Sequence, residues 1–194
     1  QSDWEIVFQA VKNQGRVLFY AHADLKSDRE IVFEAVKNAG LALYYADARL
    51  RSDRAIILEA VKSYGWALYY AASKLQRDRE VVFEAVKNDG RAFFYADPSL
   101  RSDSEVVIEA VKSSAAILQY ANSNLLTDRR FVLEVVKANG LALEYVGVVL
   151  QADREVVLES IKSDSYALKY ADVSLRADRE FVIEAEKAGA SILQ

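Results

Sequence analysis

The 194-residue sequence contains no cysteine, no methionine, a single proline and a single histidine. Without cysteine the chain can form neither disulfides nor thiolate metal sites. A Ser-His-Asp triad or a multi-histidine metal site would have to be built around His22, the one histidine. No other repeat of the chain carries a histidine, so we interpret His22 as an ordinary surface residue. We therefore predict no catalytic residue, no metal ligand and no cofactor.

Blocks of like charge and long apolar runs are also missing. The net charge is −4, and 52% of the residues are hydrophobic and 28% charged, which favours a folded chain over a disordered one. No basic stripe suggests nucleic-acid binding, and no apolar run approaches the roughly 18 residues of a membrane span. Because the sequence opens at Gln1 and lacks methionine, we expect an excised or processed piece of a longer chain.

The sequence does contain one motif, here called the phrase, that recurs every 25 residues. The phrase reads "SDREIVFEAVKNAG" at residues 27–40, and versions of it begin at 2, 52, 77, 102, 127, 152 and 177 without insertion or deletion. A short helical unit cannot bury its apolar face alone, but stacked neighbours can. The period therefore predicts an all-α fold, an α-solenoid of eight 25-residue two-helix repeats forming a single repeat domain over 1–194. The repeats fall at about 1–24, 25–49, 50–74, 75–99, 100–124, 125–149, 150–174 and 175–194.

Each repeat reads as a long helix, a turn, a shorter helix and a loop. An aspartate such as Asp28 precedes the apolar positions of the long helix, where it would cap the free backbone N–H groups. Gly40 is predicted to end that helix in the left-handed backbone conformation. Ala42 and Leu43 share a face of the second helix, and a leucine such as Leu50 is expected to anchor the loop to the core.

Four short motifs recur in phase through the whole chain. In the second repeat they are Leu25-x-x-Asp28, Glu34-Ala35-Val36-Lys37, Gly40-x-Ala42-Leu43 and Tyr45-Ala46. On these motifs the repeat resembles the short α-helical tandem repeats of the DUF4116 type, a domain of unknown function found in algae, other unicellular eukaryotes and some bacterial effectors. The resemblance implies a tandem helical array and supplies no activity or site.

Three residue types recur at fixed positions, and each has a functional and a structural interpretation. The cap aspartates could be metal ligands, the lysine row around Lys37 a phosphate track, and the tyrosine row around Tyr45 a stacking surface. We favour helix caps, i,i+3 pairing with glutamate near the helix end, and packing between repeats. The lysines are Lys12, Lys37, Lys62, Lys87, Lys112, Lys137, Lys162 and Lys187; the tyrosines are Tyr20, Tyr45, Tyr70, Tyr95, Tyr120, Tyr145 and Tyr170.

Individual recognition is expected where the repeats differ. Two variable positions, three residues apart, flank the alanine–leucine pair of the second helix. The second of them is aromatic in the first four repeats and then becomes Gln119, Glu144 and Lys169. Aromatic residues near arginines are typical of interface hot spots, although the same rings could be buried as core. The candidate partner-binding residues are Arg16, Phe19, Leu41, Tyr44, Tyr64, Trp66, Tyr69, Arg91 and Phe94.

These observations favour a non-enzymatic module for protein–protein interaction or scaffolding, with a protein as its partner and no nucleic acid. The alternative is a structural subunit of a larger assembly, such as a photosynthetic or membrane-associated complex. An enzyme or nucleotide-binding protein has no motif in this sequence.

Overall fold

A computed structural model of the chain describes residues 3–190 and is all-helical, with no strand among those residues. Residues 1, 2 and 191–194, the outer ends of the first and last predicted repeats, lie outside the described part. The chain divides into two compact units, Gln1–Leu100 and Arg101–Gln194. Within residues 3–190, no helix is long and apolar enough to cross a membrane.

Three kinds of helical segment alternate along the chain. The long α-helices are Asp3–Asn13, Arg29–Asn38, Arg54–Ser63, Arg79–Asn88, Ser104–Val111, Arg129–Ala138, Arg154–Ser163 and Arg179–Ala190. The 3₁₀ helices are Gly15–Tyr20, Gly40–Tyr45, Gly65–Tyr70, Gly90–Tyr95, Ala115–Tyr120, Gly140–Tyr145 and Ser165–Tyr170. The connecting helices are Ala23–Lys26, Leu50–Ser52, Ser73–Gln76, Pro98–Ser102, Leu125–Thr127, Val148–Gln151 and Val173–Ala177.

The connecting helices correct the prediction that this stretch is a loop. It is too short and too polar to show an apolar periodicity, so its helical turns leave no mark in the sequence. Of the leucines that were expected to anchor it, Leu75 and Leu150 are buried, whereas Leu25 and Leu50 are half-buried. Proline is accommodated because Pro98 is the first residue of its helix, where a backbone N–H has no helical partner.

The cap aspartates are confirmed in seven of the eight repeats. In the second repeat, Asp28 has an extended backbone, and its Oδ1 accepts hydrogen bonds from the N–H groups of Glu30 and Ile31, both at 3.0 Å. Asp3 is the first described residue of its helix. Both bonds recur at Asp53, Asp78, Asp128 and Asp178, and the bond from the third following N–H recurs at Asp103 and Asp153.

In repeats two, three, four and six, the core is built from one face of the long helix and a pair of residues on the 3₁₀ helix, alanine followed by leucine or phenylalanine. Ile31, Val32, Ala35 and Val36 are fully buried on the long helix, as the apolar spacing predicts. On the 3₁₀ helices, the alanine and the leucine or phenylalanine that follows it are fully buried too. These pairs are Ala42 and Leu43, Ala67 and Leu68, Ala92 and Phe93, and Ala142 and Leu143.

The predicted role of the repeat glycines is wrong, because no described glycine has a positive φ. Gly40 opens the 3₁₀ helix instead, and its absent side chain lets two backbones approach each other. A Cβ at Gly40 would lie 2.2 Å from the carbonyl oxygen of Ala60 in the next repeat, and one at Gly65 would lie 2.5 Å from that of Ala85. At Gly40 and Gly65 the missing side chain therefore permits this close contact between repeats, whereas Ala115 and Ser165 stand at the equivalent positions of later repeats. Such a contact depends on the tertiary structure and cannot be read from one repeat.

Hydrogen bonds between neighbouring repeats reinforce this close approach. The N–H of Gly15 donates to Oδ1 of Asn38 at 2.7 Å, and the N–H of Gly40 donates to Oγ of Ser63 at 3.2 Å. The connecting helices are joined by backbone bonds of the same period, as in the donation from Asp47 N–H to the Lys26 carbonyl at 3.0 Å. Within Gln1–Leu100, neighbouring repeats are thus joined by polar bonds on two sides of the apolar core.

An arginine ladder also joins neighbouring repeats, and sequence reasoning missed it. Nε of Arg29 donates to Oδ2 of Asp53 at 2.7 Å, so one carboxylate serves a helix cap with Oδ1 and an arginine of the preceding repeat with Oδ2. Arg54 and Asp78 repeat this arrangement at 2.7 Å. Arg129 and Asp153 do so at 2.8 Å. The signal in the sequence is the arginine that directly follows six of the eight cap aspartates.

The arginines lower the pKa of the carboxylates that they contact. Hydrogen bonding from Arg29 lowers the pKa of Asp53 below its ordinary value, and Arg129 lowers that of Asp153 in the same way.

Asp128 allows the contribution of the cap to stability to be compared with that of cap and arginine together, because Ser104 stands at the preceding repeat's arginine position. Asp128 caps its own helix through the N–H groups of Arg130 and Phe131.

We expect Asp153→Ala to lower the stability of the folded chain more than Asp128→Ala does. Each variant loses a cap, worth about 1 kcal/mol, but only Asp153 also holds Arg129. A lowered carboxyl pKa gives stability that is present above the unfolded value of about 3.9 and lost as pH falls toward the folded value. Urea midpoints at pH 7 and at several values below pH 4 measure the difference, which should shrink with acid. Equal losses at pH 7 would contradict the ladder.

Candidate functional site

The variable positions lie side by side on one face of the 3₁₀ helices in Gln1–Leu100. This face is exposed except at Leu41 and Trp66, which are half-buried. A 3₁₀ helix has three residues per turn, so residues i and i+3 share a face. This geometry places Arg16 beside Phe19, and Trp66 beside Tyr69. Tyr64 is the extended residue just before its 3₁₀ helix. We call the row formed by Phe19, Tyr44, Tyr69 and Phe94 the aromatic ridge.

The rings of the aromatic ridge face solvent. Their exposed fractions are 51% for Phe19, 52% for Tyr44, 58% for Tyr69 and 39% for Phe94. The neighbouring Leu43 is fully buried by contrast. The ridge rings are therefore not core residues, and the core alternative for this row is set aside.

The rings of Phe19, Tyr44 and Tyr69 each pack on the invariant tyrosine of the next repeat. The ring centroids of Phe19 and Tyr45 are 5.1 Å apart, and those of Tyr44 and Tyr70 are 5.2 Å apart. Tyr69 and Tyr95 continue the pattern at 5.1 Å. Tilted and edge-on pairs at these distances are favourable aromatic geometries. In these repeats the tyrosine row packs one repeat on the next, as predicted, and it also holds the ridge rings in place.

Trp66, another candidate partner-binding residue, is less exposed than the ridge rings. The indole is half-buried, and its Nε1 donates to Oδ2 of Asp89 in the next repeat at 2.9 Å. Its ring lies 5.5 Å from Tyr95, and the Arg91 guanidinium lies 5.3 Å from the Trp66 ring centroid. Trp66 thus joins two repeats next to the ridge residue Tyr69. The hydrogen bond was not foreseen because Asp89 lies 23 residues further along the chain.

Comparison with known protein families assigns the repeats. The DUF4116 profile, described as a domain of unknown function, matches residues 3–51, 53–101, 103–151 and 153–194. The chain belongs to this family. A search of curated proteins and a search of solved structures found no significant match.

Each DUF4116 match covers two of the 25-residue repeats. The four matches begin at Asp3, Asp53, Asp103 and Asp153, the aspartates that precede the long-helix apolar positions in every second repeat. The aromatic ridge therefore extends over the first two DUF4116 domains.

Two positively charged side chains, Arg16 and Lys26, lie near Phe19 at one end of the ridge. Arg16 is exposed and forms no ion pair with any residue in 3–190, and Lys26 Nζ lies 5.8 Å from the Phe19 ring centroid. Together with Gln14 and Tyr45, Arg16 and Phe19 border a groove of about 370 Å³. At the other end, the Asp89 carboxylate binds Arg91 at 2.8 Å, and hydrogen bonding from Arg91 lowers the pKa of that carboxyl.

The later DUF4116 domains carry polar groups at the ridge position. In Arg101–Gln194, Gln119, Glu144 and Lys169 are all exposed on their 3₁₀ helices. Lys169 Nζ lies 4.6 Å from the ring centroid of Tyr170, beside it on the same helix. These residues provide matched controls for the ridge, because they share its place in the repeat but not its chemistry.

The remaining candidates for chemistry have ordinary structural roles. Lys112 and Lys162 pair with glutamates three residues earlier, each at 2.6 Å, as the sequence predicts, and Lys37 pairs with Glu34 at 3.7 Å. The exposed His22 accepts a weak bond from the N–H of Asp24 at 3.5 Å, which caps a connecting helix. Within residues 3–190, no group of three or more histidine, aspartate or glutamate side chains is arranged to hold a metal ion.

Proposed function

We propose that the chain is a non-enzymatic protein-binding module, an α-solenoid of eight 25-residue repeats whose partner docks on the aromatic ridge. The observation that carries the proposal is the row of exposed rings of Phe19, Tyr44, Tyr69 and Phe94 on consecutive repeats. The solenoid part rests on the glycine contacts and arginine ladder, which join neighbouring repeats in each unit.

The ridge has the properties of a preorganised binding surface. Exposed apolar rings in a continuous row are uncommon on a monomeric protein unless they mark an interaction site. Ordering flexible side chains opposes association, but the ring of Tyr44 already packs on Tyr45 and Tyr70. Tyrosine is also among the residues enriched at interface hot spots. The ridge can therefore contribute apolar contact at a small entropic cost.

Partner capture by the whole chain tests this proposal. The wild-type chain, immobilised and exposed to a lysate from its own source, should retain a protein in stoichiometric amount. Tyr44→Ser combined with Tyr69→Ser should abolish the retention, because central aromatic residues dominate interface energies. Trp66 is left intact because its indole also joins two repeats.

Glu144→Ser combined with Lys169→Ser is the matched control, since both residues are exposed at the same repeat position. This variant should retain the partner like the wild type. Retention that survives the tyrosine changes, or that fails equally in the control, would place binding elsewhere on the chain.

A further inference from the structure

The spacing of the ridge rings indicates the shape of their partner. The ring centroids of Phe19 and Tyr45 are 5.1 Å apart, and those of Tyr45 and Tyr44 are 5.0 Å apart. The next pair repeats this path, with 5.2 Å from Tyr44 to Tyr70 and 5.1 Å from Tyr70 to Tyr69. The successive rings of Phe19, Tyr44 and Tyr69 are thus no more than about 10 Å apart, in agreement with the roughly 8–10 Å between packed helices.

A polyproline II segment has a period close to this spacing. It has three residues per turn and rises about 3.1 Å per residue, so every third residue returns to the same face after about 9.3 Å. Resting on the proposed function, we propose that the aromatic ridge binds a proline-rich segment in this conformation, with one proline of each triplet seated at each repeat. Proline rings pack on aromatic side chains in other recognition surfaces of this kind.

The other regular conformations fit the ridge less well. An α-helix returns to the same face every 5.4 Å, so alternate turns would face the spaces between rings. A β-strand repeats its face about every 6.7 Å, which falls out of step with the rings after one repeat. The polyproline II backbone also leaves its carbonyl groups without internal hydrogen bonds. The exposed tyrosines Tyr44 and Tyr69 carry hydroxyl groups of the type that donates to such carbonyls.

Charge complementarity adds a second property of the partner. Arg16 and Lys26 bring two positive charges to the Phe19 end of the ridge, and neither forms an ion pair within residues 3–190. At the opposite end, the charge of Arg91 is already matched by Asp89. The partner segment therefore carries acidic residues at the end that lies over Phe19. These pairs would be exposed and screened by salt.

Binding of a synthetic peptide to the full chain tests this inference. The probe is a fluorescein-labelled peptide of two glutamates followed by four Pro-Pro-Ala triplets, and the readout is fluorescence anisotropy at low and high salt. Two comparison peptides keep the glutamates: one replaces every proline by alanine, and the other spaces single prolines four residues apart. We expect binding of the triplet peptide, with about tenfold or greater weakening for each comparison peptide.

Variants of the chain complete the test. Tyr44→Ser with Tyr69→Ser should weaken triplet-peptide binding by about tenfold or more, and Glu144→Ser with Lys169→Ser should leave it unchanged. Arg16→Glu should weaken it at low salt and have less effect at high salt. Circular dichroism checks that each variant folds.

Failure to bind the triplet peptide, equal or tighter binding of the alanine peptide, or binding that ignores the tyrosine changes would overturn the inference. The lysate experiment separates this outcome from failure of the proposed function. A partner retained through Tyr44 and Tyr69 without triplet-peptide binding would refute the polyproline II segment alone. Absence of any ridge-dependent partner, together with failure of the triplet peptide to bind, would refute both.

Discussion

Deleting one whole period, Leu75 to Ser99, is expected to leave a helical protein that still unfolds cooperatively. The contacts between repeats recur at the same offset, so each lost partner is replaced by its equivalent 25 residues later. After this deletion, Arg54 would meet Asp103 in place of Asp78, its present partner at 2.7 Å. Gly65 would meet Ser113 in place of Asn88, just as Gly40 now donates to Ser63.

Deleting only the ten residues Arg79–Asn88 should instead destroy the fold of that region. These residues form one complete long helix, and its Val81, Val82, Ala85 and Val86 are buried in the core. Their loss also shifts every later contact out of phase with the repeats before it. Circular dichroism and urea denaturation of the two deletions give the comparison. Equal damage from both would indicate a globular core with long-range contacts, contrary to the repeat arrangement.

Features that depend on a few neighbouring residues were predictable from the sequence. The cap at Asp28 needs only the two N–H groups that follow it, and its side chain accepts from both. The apolar face of Ile31, Val32 and Ala35 follows from helical geometry alone. The exposed row at Phe19 and Tyr44 could be inferred because the equivalent positions of later repeats are polar.

Features that depend on the next repeat were not predictable in this way. A glycine at a helix end most commonly adopts the left-handed conformation, so the sequence predicts such a turn at Gly40. Its actual requirement is the approach of the Ala60 carbonyl, 20 residues away. The hydrogen bond from Trp66 to Asp89 was missed for the same reason, although both residues were visible in the sequence.

The arginine ladder marks an intermediate case. Its sequence signal, an arginine after most cap aspartates, is plain, but one repeat does not show which carboxylate the arginine reaches. Stacking of the long helices brings the Arg54 guanidinium to Asp78 and Glu80 together. A fixed period therefore identifies which residues contact the neighbouring repeat only when the direction of stacking is known.

Adjacent residues on one 3₁₀ helix should respond very differently to truncation. Leu68 is fully buried, whereas 58% of Tyr69 is exposed. Leu68→Ala removes buried methyl groups and leaves a cavity, which should lower the free energy of unfolding by about 2–5 kcal/mol. Tyr69→Ser removes two exposed ring contacts, with Tyr70 and Tyr95, and its cost should be smaller, about 1–2 kcal/mol.

Urea denaturation of the two variants and the wild type, fitted with a common slope, measures the two losses. The pair separates the two roles of the 3₁₀ helix, because Leu68 contributes to the core and Tyr69 to the ridge. A loss at Tyr69 as large as that at Leu68 would mean that the ring stabilises the fold, so its removal could not report on binding. A small loss at Tyr69 leaves the folded chain intact, and any change in partner or peptide binding by that variant then belongs to the ridge itself.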